Sequence, residues 1–145
     1  MNLLILHGPN LNLLGSREPT IYGNLPFEVY LEKLRVKFPR FKIDYLQFND
    51  EGELINAIQS ANNIYDGIIL NAGAYTHTSI ALLDAIKAID IPVIEVHISQ
   101  IMAREPFRRH SYLSAACKGS ISGFGLNGYK FAIESFIDDK KNNIN

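Results

Sequence analysis

One cysteine, Cys117, stands in a chain of 145 residues, so no internal disulfide can form, and zinc sites built from two or more cysteines of one chain are excluded. Excess charge of either sign is also missing. Fourteen lysines and arginines face 15 acids for a formal net charge of −1. That leaves no basic surplus to hold nucleic acid by bulk electrostatics. No apolar run approaches the roughly 18 residues that span a bilayer. The opening Met1-Asn2-Leu3-Leu4-Ile5-Leu6-His7 has neither the basic start nor the apolar length of a secretory leader. Repeats, low-complexity stretches and linkers are absent as well. These absences lead to the expectation of one domain over residues 1–145, cytoplasmic, with no nucleic acid and no membrane as partner. With 47% hydrophobic residues, the chain can bury a sizeable core.

What is present is alternation. Leu3-Leu4-Ile5-Leu6 is a continuous apolar run, the pattern of a strand buried on both faces. Phe27, Tyr30, Leu31, Leu34 and Phe38 recur at helical spacing, with Pro26 in the first turn and Pro39 as the stop. Lys42–Gln47 reads as a strand nearer an edge, 51–62 as a helix and 67–70 as a second buried strand. A helix over 78–89, a strand over 92–97, a thin strand over 119–124 and a helix over 129–139 follow, and the polar tail 140–145 is expected to fray. Strand and helix alternate five times, so the expected fold class is α/β: a five-stranded parallel sheet between two helix layers, a flavodoxin-like three-layer sandwich of order 2-1-3-4-5. Ligands in such sheets bind beyond the carboxyl ends of the strands.

Three segments at those ends carry polar side chains. After the first strand runs a loop, 7–23, long for its kind and punctuated by glycine and proline; it is either a lid or binding loop or a surface excursion. After the third strand comes Asn71-Ala72-Gly73-Ala74-Tyr75-Thr76-His77-Thr78-Ser79. A helix N-terminus there favours an anion, and Thr78 or Ser79 could equally cap it. After the fourth strand, Glu95 and His97 stand two apart and so share one face. A carboxylate beside an imidazole is the pairing a general acid needs, and also an ordinary strand-end ion pair. Arg104, Arg108 and Arg109 follow, half of the chain's six arginines. They form either a planar carboxylate-binding set or a solvated face.

Other chemistries fail on the residues. Gly123-Phe124-Gly125-Leu126-Asn127-Gly128 matches the dinucleotide fingerprint, but only 17 residues follow it, too few for the second strand and its ribose-binding acid. These glycines are read as a tight turn and close packing. No ligand spacing supports a metal site at His77, His97, His110 and Glu95, and no Gly-x-Ser-x-Gly elbow is present. Cys117 lies outside the three segments and is expected to be structural.

Gly8-Pro9-Asn10-Leu11-Asn12-Leu13-Leu14-Gly15, Arg17-Glu18-Pro19 through Tyr22-Gly23, Asn71-Ala72-Gly73-Ala74 with Thr76-His77-Thr78-Ser79, and Glu95-Val96-His97-Ile98-Ser99 with Arg104-Glu105 and Phe107-Arg108 resemble type II 3-dehydroquinate dehydratases, in order and along nearly the whole chain. The resemblance implies reversible dehydration of 3-dehydroquinate to 3-dehydroshikimate in the shikimate pathway without metal or cofactor, in a homo-oligomer, a dodecamer of four trimers. It implies Tyr22 as the base that takes a proton from C2, Arg17 as its activator, and Asn10 as holder of a water near the enolate. His97 is implied as the acid that protonates the departing hydroxyl, with Glu95 orienting it. Asn71, His77, Ile98, Ser99 and Arg108 are implied as substrate-binding positions, Asp84 as a residue lent to a neighbouring subunit, and Arg104 as a position near the site. Gln100 departs from the asparagine usual after the His-Ile-Ser triplet, which bears on fine geometry.

The chemistry agrees with those residue types. Free tyrosine, with a pKa near 10, is about 0.1% ionised at pH 7. A fixed guanidinium nearby favours the phenolate; a shift of two or three units is worth roughly 3–4 kcal/mol. The alternative function is a non-catalytic flavodoxin-like module for an anion or nucleotide. An acidic pocket after the first strand would mark a receiver, and His7-Gly8-Pro9 stands there instead.

Overall fold

Leu3 and Ile5 of strand β1 (Asn2–His7) pack into one apolar cluster, Leu4 and Leu6 into another. This is the period-2 alternation of a strand covered on both faces. The computed structural model describes residues 1–16, 20 and 24–142, and the side chains up to residue 138. Among them the chain forms β1, α1 (Phe27–Lys37), β2 (Lys42–Gln47), α2 (Glu51–Ala61), β3 (Gly67–Asn71), α3 (Ile80–Lys87), β4 (Val93–His97), β5 (Gly119–Ser122) and α4 (Asn127–Asn142). The sheet has five strands in the order β2-β1-β3-β4-β5, and every pairing is parallel. The fold is the expected flavodoxin-like α/β sandwich.

The two clusters show which helices cover which face. Phe27, Leu31 and Leu34 of α1 join Tyr129, Ala132, Ile133 and Phe136 of α4 over Leu3, Ile5, Ile69 and Val96. Leu54 and Ile58 of α2 join Leu82, Ala85 and Ile86 of α3 over Leu4, Leu6, Ile68 and Leu70. The inner strands β3 and β4 are buried throughout, whereas the edge strands β2 and β5 are not. The broken pattern read in 42–47 is therefore the mark of an edge.

Local signals set the helix ends. Asp50 accepts from Glu53 N at 3.0 Å and opens α2, with Glu51 and Glu53 complementing the dipole in its first turn. α3 is shorter than the expected 78–89: the Ser79 hydroxyl caps its start by accepting from Leu82 N at 2.9 Å, after a 3-10 turn over Gly73–His77, and the helix ends at Lys87. β5 stops at Ser122, short of the expected 124. Gly123 (φ 91°) and Gly125 (φ 59°) then turn the chain through left-handed backbone, and α4 starts at Asn127 rather than 129. A Cβ on Gly128 would lie 3.1 Å from Val96 Cγ1, so α4 packs closely on β4 there. Of the tail expected to fray, residues 140–142 are helical, and 143–145 lie outside the described residues.

β1 and β3 also approach closely where they end. Gly8 N donates to Asn71 O at 2.8 Å, and a Cβ on Gly8 would sit 2.3 Å from the Ala72 carbonyl oxygen. Gly8→Ala is expected to force the two strand ends apart and destabilise the chain by about 3 kcal/mol. The check is thermal unfolding, with a drop in Tm of about 10 °C.

Cys117 is partly buried against the α2/α3 cluster. Burial, reinforced by the charge of Glu95, pushes its thiol up to about 12.

Candidate active site

The segments following β1, β3 and β4 meet in one cleft at the carboxyl ends of the strands. It is lined by Pro9, Asn10 and Leu11 from the first, Asn71, Gly73, Ala74 and His77 from the second, and His97, Ile98, Ser99, Ile101, Arg104 and Arg108 from the third. Eight of the residues singled out in the sequence therefore share a cavity: Asn10, Asn71, His77, His97, Ile98, Ser99, Arg104 and Arg108. Asn10 adopts left-handed backbone (φ 68°), held by its N–H to Asn49 Oδ1 at 3.0 Å. Ile98 and Ser99 follow β4 directly, with their carbonyls taken by Gly125 N and the Ser122 hydroxyl.

Glu95 stands behind His97, wholly buried, and His97 Nε2 donates to Glu95 Oε1 at 2.8 Å. The carboxylate is not held by the imidazole alone. Thr76 and Ser111 hydroxyls also donate to Oε1, the latter at 2.7 Å, and Ser114 and Ser120 hydroxyls donate to Oε2, the latter at 2.9 Å. Burial by itself would push Glu95 up, but hydrogen bonds from His97, Ser111 and Ser114 and the charge of His97 outweigh it and hold the carboxyl well below the usual range. A fixed anion thus supports one ring nitrogen of His97 and leaves Nδ1 for the cleft. The four hydroxyl donors were not singled out in the sequence. Thr76 follows β3, Ser111 and Ser114 lie in the segment between β4 and β5, and Ser120 is on β5; no spacing rule links them.

His77 is fixed from outside the cleft. Its Nδ1 lies 2.7 Å from the His110 carbonyl oxygen, which can only accept, so the proton is on Nδ1 and Nε2 is an acceptor. Burial pushes His77 below its ordinary range, partly offset by that hydrogen bond. The rings of His77 and His97 stack with centroids 6.4 Å apart.

Arg108 supplies positive charge. Its Nε lies 3.1 Å from Glu105 Oε2, near enough for an ion pair but off the direction of a hydrogen bond. This buried N–H accordingly has no hydrogen-bond partner among the described residues. A guanidinium N–H in that condition at the edge of a cleft favours a bound anion. Arg109 turns away, giving Nε to the Arg104 carbonyl at 3.0 Å, so the arginine cluster divides between cleft and surface.

Three further positions do not line the cleft. The N-terminus of α3 is capped by Ser79, in keeping with the capping reading of that segment, and Ser79 does not line the cleft. Asp84 is exposed on α3 and is not among the cleft residues. Gln100 is directed to Ser122 Oγ (3.3 Å) and Met102 N (3.4 Å) and is likewise not a lining residue. Arg17 and Tyr22 lie outside the described residues.

A doubly wound parallel sheet that gathers a carboxylate–imidazole pair and a guanidinium at the carboxyl ends of its strands defines a flavodoxin-like α/β protein with polar side chains where such folds bind ligands. The family model of class II dehydroquinases matches residues 1–137. A 3-dehydroquinate dehydratase of an Exiguobacterium species is 50% identical over 143 residues, covering 98% of each chain. One from Clostridium botulinum is 47% identical over 147 residues, covering 99% of this chain and 97% of its own. The crystal structure of the type II dehydroquinase from Butyrivibrio crossotus superposes with a TM-score of 0.88 at 44% identity, covering 93% of this chain and 96% of that one. The chain belongs to the class II dehydroquinase family. That membership does not favour a non-catalytic anion- or nucleotide-binding module.

Proposed function

We propose that this chain catalyses the reversible elimination of water from 3-dehydroquinate to give 3-dehydroshikimate, as a hydro-lyase of the shikimate pathway. The observation that carries the reading is the Glu95–His97 pair, its carboxylate locked by hydroxyls and its imidazole lining the same cleft as Arg108. His97 gives its proton to the hydroxyl leaving C1, and Glu95 balances the imidazolium before transfer and orients the ring throughout. Tyr22 is the base that removes the proton from C2, with Arg17 favouring its phenolate. Asn10 holds a water beside the developing enolate. Arg108 and the backbone of Ile98 and Ser99 bind the substrate with Asn71 and His77; Arg104 stands beside them. No step calls on a metal or cofactor.

The functional unit is residues 1–145 as one catalytic domain, in the cytoplasm. No helix among the described residues is long and apolar enough to cross a membrane. The exposed position of Asp84 on α3 supports a role at a neighbouring subunit's site within a trimer, four of which form a dodecamer.

The test follows the conjugated enone by absorbance as 3-dehydroquinate is added, in EDTA. Wild type is expected to turn over undiminished by the chelator, and Tyr22→Phe to lose roughly a hundredfold or more. Near-normal turnover by Tyr22→Phe would remove that residue from the mechanism.

A further inference from the structure

Beneath the cleft lies a buried polar chain in which only Asn71 has a role above. Asn71 Nδ2 donates to the Tyr129 hydroxyl at 2.9 Å. The same hydroxyl is 2.7 Å from His7 Nε2, and His7 Nδ1 is 3.1 Å from the Tyr45 hydroxyl. His7 and Tyr129 are fully buried, and Asn71 is 4% exposed at the cleft.

Donor and acceptor capacity sets the direction of this chain. The Asn71 amide nitrogen can only donate, so the Tyr129 oxygen accepts from it, and the Tyr129 proton needs an acceptor of its own. Among the described residues His7 Nε2 is the group in place to take it. His7 then carries its proton on Nδ1 and donates to Tyr45, which is half-buried at the sheet edge. The reverse arrangement would strand the Tyr129 proton in a dry interior. Burial keeps His7 neutral, in line with a single ring proton. The other end of the Asn71 amide is also held, because Gly73 N donates to Oδ1 at 3.2 Å. Both ends being engaged, the carboxamide cannot exchange its oxygen and nitrogen, and one Nδ2–H remains unassigned.

We propose that Tyr129 and His7 are positioning residues that lock the Asn71 carboxamide, so that its remaining N–H is a fixed donor to an oxygen of the bound substrate. The inference rests on the functional reading above. It also gives α4, remote in sequence from the other site segments, a part in substrate binding.

Tyr129→Phe keeps the ring that packs on His7 and Phe27 and removes only the hydroxyl. Steady-state kinetics of Tyr129→Phe, Asn71→Ala and the double variant are compared with wild type. Each single change is expected to raise KM for 3-dehydroquinate about tenfold, with a smaller effect on kcat. The double variant is expected to match Asn71→Ala alone, because one interaction is lost either way. A wild-type KM in Tyr129→Phe, or effects that multiply in the double variant, would overturn the proposal. Nitrogen-15 NMR supplies an arm that needs no turnover. Wild type is expected to show His7 as the Nδ1–H tautomer, and Tyr129→Phe to shift the Asn71 side-chain amide signals. An Nε2–H tautomer or unmoved amide signals would overturn it. Should wild type form no enone, the functional reading falls, while the spectra still decide the lock. Should Tyr129→Phe fail to fold, the wild-type tautomer decides it.

Discussion

Replacing His97 with alanine is expected to lower turnover of 3-dehydroquinate roughly 10²–10⁴-fold, the usual contribution of a positioned general acid. The hydroxyl that leaves is a poor leaving group, and His97 is the imidazole that the buried Glu95 carboxylate holds at the cleft. The fold should survive. His97 lines the cleft, so water can fill the space, and Glu95 keeps its hydroxyl donors from Thr76, Ser111, Ser114 and Ser120. The measurements are kcat from enone absorbance and Tm on the same preparation. Partial rescue by free imidazole would tie the loss to the missing proton donor. A variant that keeps near-normal kcat would end the assignment of His97 as acid.

Stability against urea is expected to fall as pH drops below 6.5, in two stages. His7 titrates at about 3 in the folded chain against an ordinary 6.5, because burial opposes its charge. Between those values the unfolded chain binds a proton that the folded chain refuses. The stability is therefore fully present above 6.5 and is lost as pH falls through about 3, at up to about 1.4 kcal/mol per pH unit for one proton. His77 acts in the same sense more weakly, being less buried. Glu95 enters lower down. Its folded carboxyl is depressed from an ordinary 4.5, so its contribution is present above that value and is lost below it. The upper stage belongs mainly to His7, and both groups act in the lower one. Urea titrations between about pH 5 and 6 should show the slope flattening in His7→Gln. Equal slopes for wild type and variant would refute the account.

The sheet was legible because its inner strands announce burial on both faces. Leu3–Leu6, 67–70 and 92–97 are nearly continuous apolar runs, and the structure sets β1, β3 and β4 there. The Glu95–His97 pair was legible from a spacing of two on a strand. What the sequence hid was every partner brought from afar. Ser111, Ser114 and Ser120 are common residues in a polar stretch, and their convergence on one carboxylate depends on how the segment between β4 and β5 folds back. Tyr129 is separated from Asn71 by 58 positions and from His7 by 122, beyond the reach of any periodicity. His7 itself reads as the first residue of the loop after the first strand, although it closes β1. The 3-10 turn at Gly73–His77 forms in the small-residue stretch that leads into the helix expected over 78–89.

Cys117 has a practical consequence. With its sulfur held near 12, only about one molecule in 10⁵ carries a thiolate at neutral pH. Electrophilic warheads aimed at sulfur would find no foothold on this side chain, and the enzyme should keep its activity through purification in air without added reductant.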